Sequence, residues 1–139
     1  MAAPETPSII PTERPTHVLQ FSGVGLAAGA QITLVSGQIS FRYRILKVKV
    51  FFGDDAVPDM RYYPMVGFTP GGSTTGLPEG QSIFAPLSPQ SFMRAGFGKR
   101  ECEPNLIVDS DRSYLKIHVQ NNDALFAVGY AAEITIRRL

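Results

Sequence analysis

The sequence predicts an all-β domain, a β-sandwich or jelly roll of about eight short antiparallel strands. An extended N-terminal arm precedes it, and at most one short helix interrupts it. Three observations carry this expectation. Apolar and polar residues alternate in several runs, most clearly over Gln38 to Phe52 and Tyr114 to Leu139. Clusters of Gly, Pro, Asn and Asp separate the runs. Only Ser88-Pro89 through Ala95-Gly96 carries the N-cap, first-turn proline and closing glycine of a helix.

Length and charge narrow the class. A chain of 139 residues fits one domain with a sizeable core, and its single cysteine excludes an internal disulfide framework. The start lacks a signal-peptide pattern, and no run reaches the ~20 apolar residues that span a bilayer. A soluble protein without a membrane partner is expected. Thirteen Lys and Arg against 12 Asp and Glu leave a net charge of +1, so no global field draws the chain to nucleic acid.

Residues 1–16 hold Pro4, Pro7, Pro11 and Pro15, a spacing that forbids a helix and favours extended backbone. They form an arm outside the core domain, 17–139. Ile9 and Ile10 are its one bulky apolar pair, and either the arm is an unordered leader or it lies along a neighbouring subunit anchored by that pair. His17 to Phe21 reads as a short strand, and Ser22 to Gly29 as a small-residue loop without a dinucleotide fingerprint.

Ile32 and Leu34 open the next strand. Then Ile39, Phe41, Tyr43 and Ile45 take odd positions before Leu46, Val48, Val50 and Phe52 take even ones. A period of two that slips by one without a turn signal is the mark of a β-bulge, so Gln38 to Phe52 is predicted to be one long bent strand. The corrected register places Arg42, Arg44, Lys47 and Lys49 on one outer face, over about 25 Å at ~3.3 Å per residue. That row is either a solvated face that blocks edge-to-edge aggregation or an attachment face for an acidic partner or a phosphate backbone.

Gly53 to Asp59 has three carboxylates but not the spacing of an EF-hand, and reads as a turn. Arg61 to Phe68 is a strand whose Pro64 suits an edge or a bulge. Thr69 to Gly80 is a long loop, expected to be mobile or buried against another molecule. Gly96 to Arg100 reads as loop, Glu101-Cys102-Glu103 as surface loop and Asn105 to Asp109 as a strand closed by an Asp109-Ser110-Asp111 turn. Beyond it, Leu115, Ile117 and Val119, and then Phe126 to Ile136, alternate on either side of Asn121-Asn122-Asp123. This reads as a β-hairpin whose apolar face needs a partner sheet.

Catalysis has little footing. His17 and His118 both fall in strand pattern and read as exposed or rim residues, no Cys/His spacing supplies a metal site, and the nucleophile-elbow and zincin motifs are absent. Neither an enzyme, a metal nor a cofactor is expected.

The closing run LKIHVQNNDALFAVGYAAEITIRRL, the bent strand ISFRYRILKVKVFFGDD and the proline-rich arm together resemble the small single jelly-roll accessory proteins of bacteriophage particles: cement, decoration or minor capsid proteins. The resemblance implies a structural virion protein. Such a subunit would form a homo-oligomer, a trimer or pentamer, contact a major capsid or other virion protein, and reach the virion by assembly in the host cytoplasm. The alternative is a carbohydrate-binding or receptor-binding sandwich, for which Tyr62 and Tyr63 are the one exposed-looking aromatic pair.

Overall fold

The computed structural model describes residues 15–51, 60–84, 92–94, 99–122 and 127–139. Ten strand segments cover most of them: β1 (Thr16–Leu26), β2 (Gln31–Val35), β3 (Tyr43–Phe51), β4 (Met60–Gly67), β5 (Gln81–Ser82), β6 (Met93–Arg94), β7 (Lys99–Cys102), β8 (Leu106–Val108), β9 (Tyr114–Asn121) and β10 (Val128–Arg138). They make two antiparallel sheets. Sheet A runs β1-β10-β3-β7, with β8 also on β3, and sheet B runs β2-β9-β4-β5, with β6 also on β4.

The pairings are nested. β1 pairs β10, β2 pairs β9, β3 pairs β7 and β8, and β4 pairs β5 and β6. The chain is therefore folded back on itself about its middle and rolled into a sandwich, which is a jelly roll. Because β5/β6 and β7/β8 each act as one interrupted strand, the ten segments fill eight strand positions. The core lies between the sheets. Ile134, Ile136, Ile45, Val48 and Val50 face inward from sheet A, and Leu115, Ile117, Val119, Tyr62 and Ile83 from sheet B.

The bulge is where the parity slip places it. Lys47 pairs Thr135 and Ile45 pairs Ile136, leaving Leu46 as the extra residue, and Ile45 and Val48 are both fully buried as a result. The strand is shorter than expected, since Ile39 makes only an isolated bridge to Ser113 and regular pairing begins at Tyr43.

Several expectations are corrected. Tyr114–Asn121 and Val128–Arg138 are not a hairpin: β9 is a central strand of sheet B and β10 a central strand of sheet A. Alternation fixes which residues share a face, and both arrangements bury the same residues. Strand β1 begins at Thr16, so the last residue assigned to the arm belongs to sheet A, where it pairs Arg137; Pro15 O accepts from Arg138 N at 3.3 Å. At its other end β1 continues through the small residues to Leu26, with an irregularity between Gly23 and Leu26. A Cβ on Gly23 would fall on the Tyr130 ring, so the glycine makes room for that side chain.

Pro64 lies in the inner strand β4, not on an edge. Its carbonyl accepts from Ile83 N at 3.1 Å, so the position that lacks an N–H faces the interruption between β5 and β6. Met93–Arg94 pairs Arg61–Tyr62 as strand, which ends any helix before Met93. The rest of that expected helix, the turn at 53–59 and residues 123–126 lie outside the described residues, as do Pro4, Pro7, Ile9, Ile10 and Pro11.

Candidate functional site

The outer face of sheet A carries the cation row. Lys47 and Lys49 lie on β3 with Arg44, whereas Arg42 precedes the strand and donates from Nη1 to Asp109 Oδ1 at 2.9 Å. Lys49 shares a rung with Glu133 on one side and Glu101 on the other, and its Nζ is 3.9 Å from Glu101 Oε2. That end is compensated. At the other end Arg44 sits beside Arg137 on one rung, and Arg44 donates to Asn105 Oδ1 at 2.9 Å. Asn105 can offer its side chain because it turns the chain between β7 and β8 with φ 51°, a conformation asparagine tolerates. Lys49 is thus the compensated end, and the row is not four equivalent charges.

The outer face of sheet B is covered by its own chain. Lys116 and His118 are both 0% exposed, although the alternation places them opposite the apolar face. The loop 69–80 encloses them. Lys116 Nζ donates to Glu79 O at 2.8 Å and to Glu79 Oε1 at 3.2 Å, while Glu79 also accepts from Thr69 Oγ1 and from the Phe68 and Thr69 amides. Burial alone would raise the Glu79 pKa, but these donors outweigh it and hold the carboxyl below its usual value. Gly67 makes the pair possible, because a Cβ there would meet Lys116 Cε and Nζ and Glu79 Oε1. A loop expected to be mobile or to bury itself on another molecule is latched to its own sheet.

His118 forms a second latch. Its Nε2 is 2.8 Å from Gln31 Oε1, and its Nδ1 is 2.7 Å from Thr33 Oγ1, which in turn accepts from Ser73 N at 3.0 Å. The Gln31 oxygen can only accept, so Nε2 carries the proton and Nδ1 is an acceptor that shares the single Thr33 hydroxyl proton with Ser73 O, 3.2 Å from Thr33 Oγ1; this tautomer is assigned from the network. Burial lowers the His118 pKa and keeps the ring neutral. The expectation of an exposed or rim histidine is overturned. Gln120 extends the network, donating to Gln31 Oε1 and accepting from the Tyr63 hydroxyl, both at 3.2 Å.

Tyr62 and Tyr63 are buried too. Tyr62 points into the core, where burial raises its pKa, and Tyr63 packs on the other face against Phe92 at 5.3 Å between centroids. Neither offers a face to a sugar. Cys102 is half-buried at the end of β7 rather than in a surface loop, and burial pushes its thiol up to about 11, against a weaker opposing hydrogen bond with the Val48 backbone. A thiol so placed is a poor nucleophile.

Among the described residues, the sandwich opens at one edge, between β5 of sheet B and β8 of sheet A. A cleft of about 170 Å³ lies there, lined by Val66, Phe68, Leu106, Ile107 and Val108, with the polar Gln81, Ser82, Asp109 and Ser110 also in its lining. Phe68 and Ile107 are 49% and 47% exposed. The sequence carried only a weak signal of this feature: two apolar residues, one just after β4 and one in β8, with no motif.

No protein-family model matches the chain, and no curated protein matches it. Among solved structures, a chain from the structure of infectious bursal disease virus, Gx strain, is similar over 96% of this chain and 38% of its own length. The identity is 12% and the TM-score 0.42. At that level the likeness is one of fold at most.

Proposed function

We propose that the chain is a structural subunit of a virus particle, an accessory capsid protein of the cement, decoration or minor capsid kind, which assembles as a small homo-oligomer and works by contact rather than by chemistry. The observation that carries this reading is the nested jelly-roll pairing led by a proline-rich segment that runs directly into the edge strand β1. The two-sheet sandwich supplies a rigid block, and a proline-rich leader at its edge would supply reach to a neighbour. The placement of the polar groups agrees. His118, Lys116 and Glu79, which in another setting could serve acid–base work, are consumed in holding a loop to the sheet.

A glycan-binding sandwich would present an aromatic platform, and burial of Tyr62 and Tyr63 removes the pair that suggested one. The partners proposed are a second copy of the chain and a major capsid or other virion protein of a bacterial virus, met during assembly in the host cytoplasm. Native mass spectrometry of the purified full chain, with imaging of particles to which it is added, tests the reading. A defined oligomer that decorates shells supports it. A strictly monomeric protein that ignores shells and is retained on immobilised glycans overturns it.

A further inference from the structure

We propose that the cleft between β5 and β8 is a docking site for the Ile9-Ile10 segment of a second copy of this chain. The inference rests on the reading of the protein as a self-assembling subunit and names the contact that would join the copies.

The cleft fits such an occupant in chemistry and size. Its walls are mostly apolar, with Val66, Phe68, Leu106 and Ile107 beside a few polar groups, and about 170 Å³ is on the scale of the roughly 150 Å³ apolar cavity that accommodates a benzene ring, enough for one branched aliphatic side chain. Its rims are edge strands. β8 has three residues and β5 two, and among the described residues each pairs on one side only, with β3 and β4 respectively. Such edges accept an added strand, whose backbone supplies hydrogen bonds and whose side chains fill the pocket. Within the arm, Ser8-Ile9-Ile10 is a proline-free window bounded by Pro7 and Pro11, equal in length to β8 and carrying the one bulky apolar pair of residues 1–16.

The arm's point of departure indicates a second copy. Thr16 shares a rung with Arg137, which faces Arg44, which faces Ile107. The chain's own cleft therefore lies sideways across three strand spacings, about 14 Å at ~4.8 Å each. Pro15 still follows the line of β1, since its carbonyl accepts from Arg138 N. Residues 1–15 contain no Gly, Asn or Asp to turn the chain, and Pro11 and Pro15 bias the connection toward extended backbone. Ile10 precedes Thr16 by six residues, a contour of about 19 Å at ~3.1 Å each, and a continuation along the line of β1 would lead it away from the chain's own cleft. Such a contact joins unlike surfaces on the two copies, so it closes into a ring or continues over a lattice.

The test uses the full-length chain with Cys102→Ser as background. Two single-cysteine variants, Ile10→Cys and Ile107→Cys, are mixed, equilibrated and mildly oxidised, and Phe68→Cys serves as a second cleft position should Ile107→Cys misfold. A covalent heterodimer that forms only in the mixture is the expected result. Ile9→Asp with Ile10→Asp should weaken self-association about tenfold or more, the worth of one buried aliphatic side chain. If the double variant Ile10→Cys/Ile107→Cys cross-links only within one chain, the arm folds back and the proposal is overturned. Oligomers by native mass without any cross-link would overturn the docking site while leaving the particle-subunit reading intact. A monomer at every concentration would sink both.

Discussion

His118 and Lys116 show how a polar residue is buried on the outer face of a sandwich sheet. Each is fully buried, and each is held by a partner from the same loop or its neighbour strand. Replacing Lys116 by Ala leaves Glu79 with its Thr69 and Phe68 donors, and Glu79 is 45% exposed, so the carboxylate can turn to water. The expected loss is therefore that of a hydrogen bond to a charged group, about 1–3 kcal/mol, readable as a lower urea midpoint with loop 69–80 cut first by protease. A variant as stable and as resistant as the parent would show that the pair holds nothing. The pH dependence has a defined sign. His118 has a depressed pKa, so its contribution is whole above the ordinary value of about 6.5 and is lost as the pH falls below it. Glu79, also depressed, loses its contribution only below the usual carboxylate range near 4.3. Melting temperature should decline from pH 7.5 to 5, and His118→Gln should flatten that slope while lowering the plateau. An unchanged slope in the variant would assign the decline to other groups.

At the scale of one strand, Leu46 is the residue on which register depends. With Leu46 present, Ile45 and Val48 both face the core; without it, either Arg44 or Lys47 and Lys49 must turn inward. Unpaired buried charge costs several kcal/mol, comparable to the whole stability of a domain this size. Deleting Leu46 should abolish soluble expression, whereas Leu46→Ala, which shortens a half-buried side chain but keeps the register, should leave soluble folded protein. A soluble deletion product with native circular dichroism would mean that the pairing of β3 with β10 can slip.

For the whole molecule, the block and the leader should be separable. Removing residues 1–14 makes the chain begin at Pro15, just before the first paired residue of β1, so the melting of the sandwich should change by little while assembly is lost. Unfolding of the truncated chain would make the leader part of the core. The cation row makes a second test at this scale. Replacing Arg42, Arg44, Lys47 and Lys49 with Gln should cost within about 0.5 kcal/mol each, since all four sit on the solvent side. Attachment to an acidic surface should weaken and lose part of its salt dependence between low and physiological ionic strength. Most of that change should come from Arg44 and Lys47, because Lys49 is flanked by Glu101 and Glu133. Equal binding of parent and variant at every salt concentration would make the row a solvated face.

The sequence by itself determined the class, the core and the bulge, because a period of two states which side chains share a face, and a change of parity states where an extra residue must sit. Ile45 and Leu46 were enough for that. It also marked Lys116 and His118 as lying opposite the apolar face. What covers that face was decided by tertiary structure alone: a glycine at position 67 and a carboxylate at 79 become a latch only when loop 69–80 folds over β9. Tertiary structure likewise assigned β9 and β10 to opposite sheets, since alternation names faces and never partners. Among the described residues, the cleft lies where the short strands β5 and β8 of opposite sheets meet one edge of the sandwich, a relation between elements that neither strand encodes.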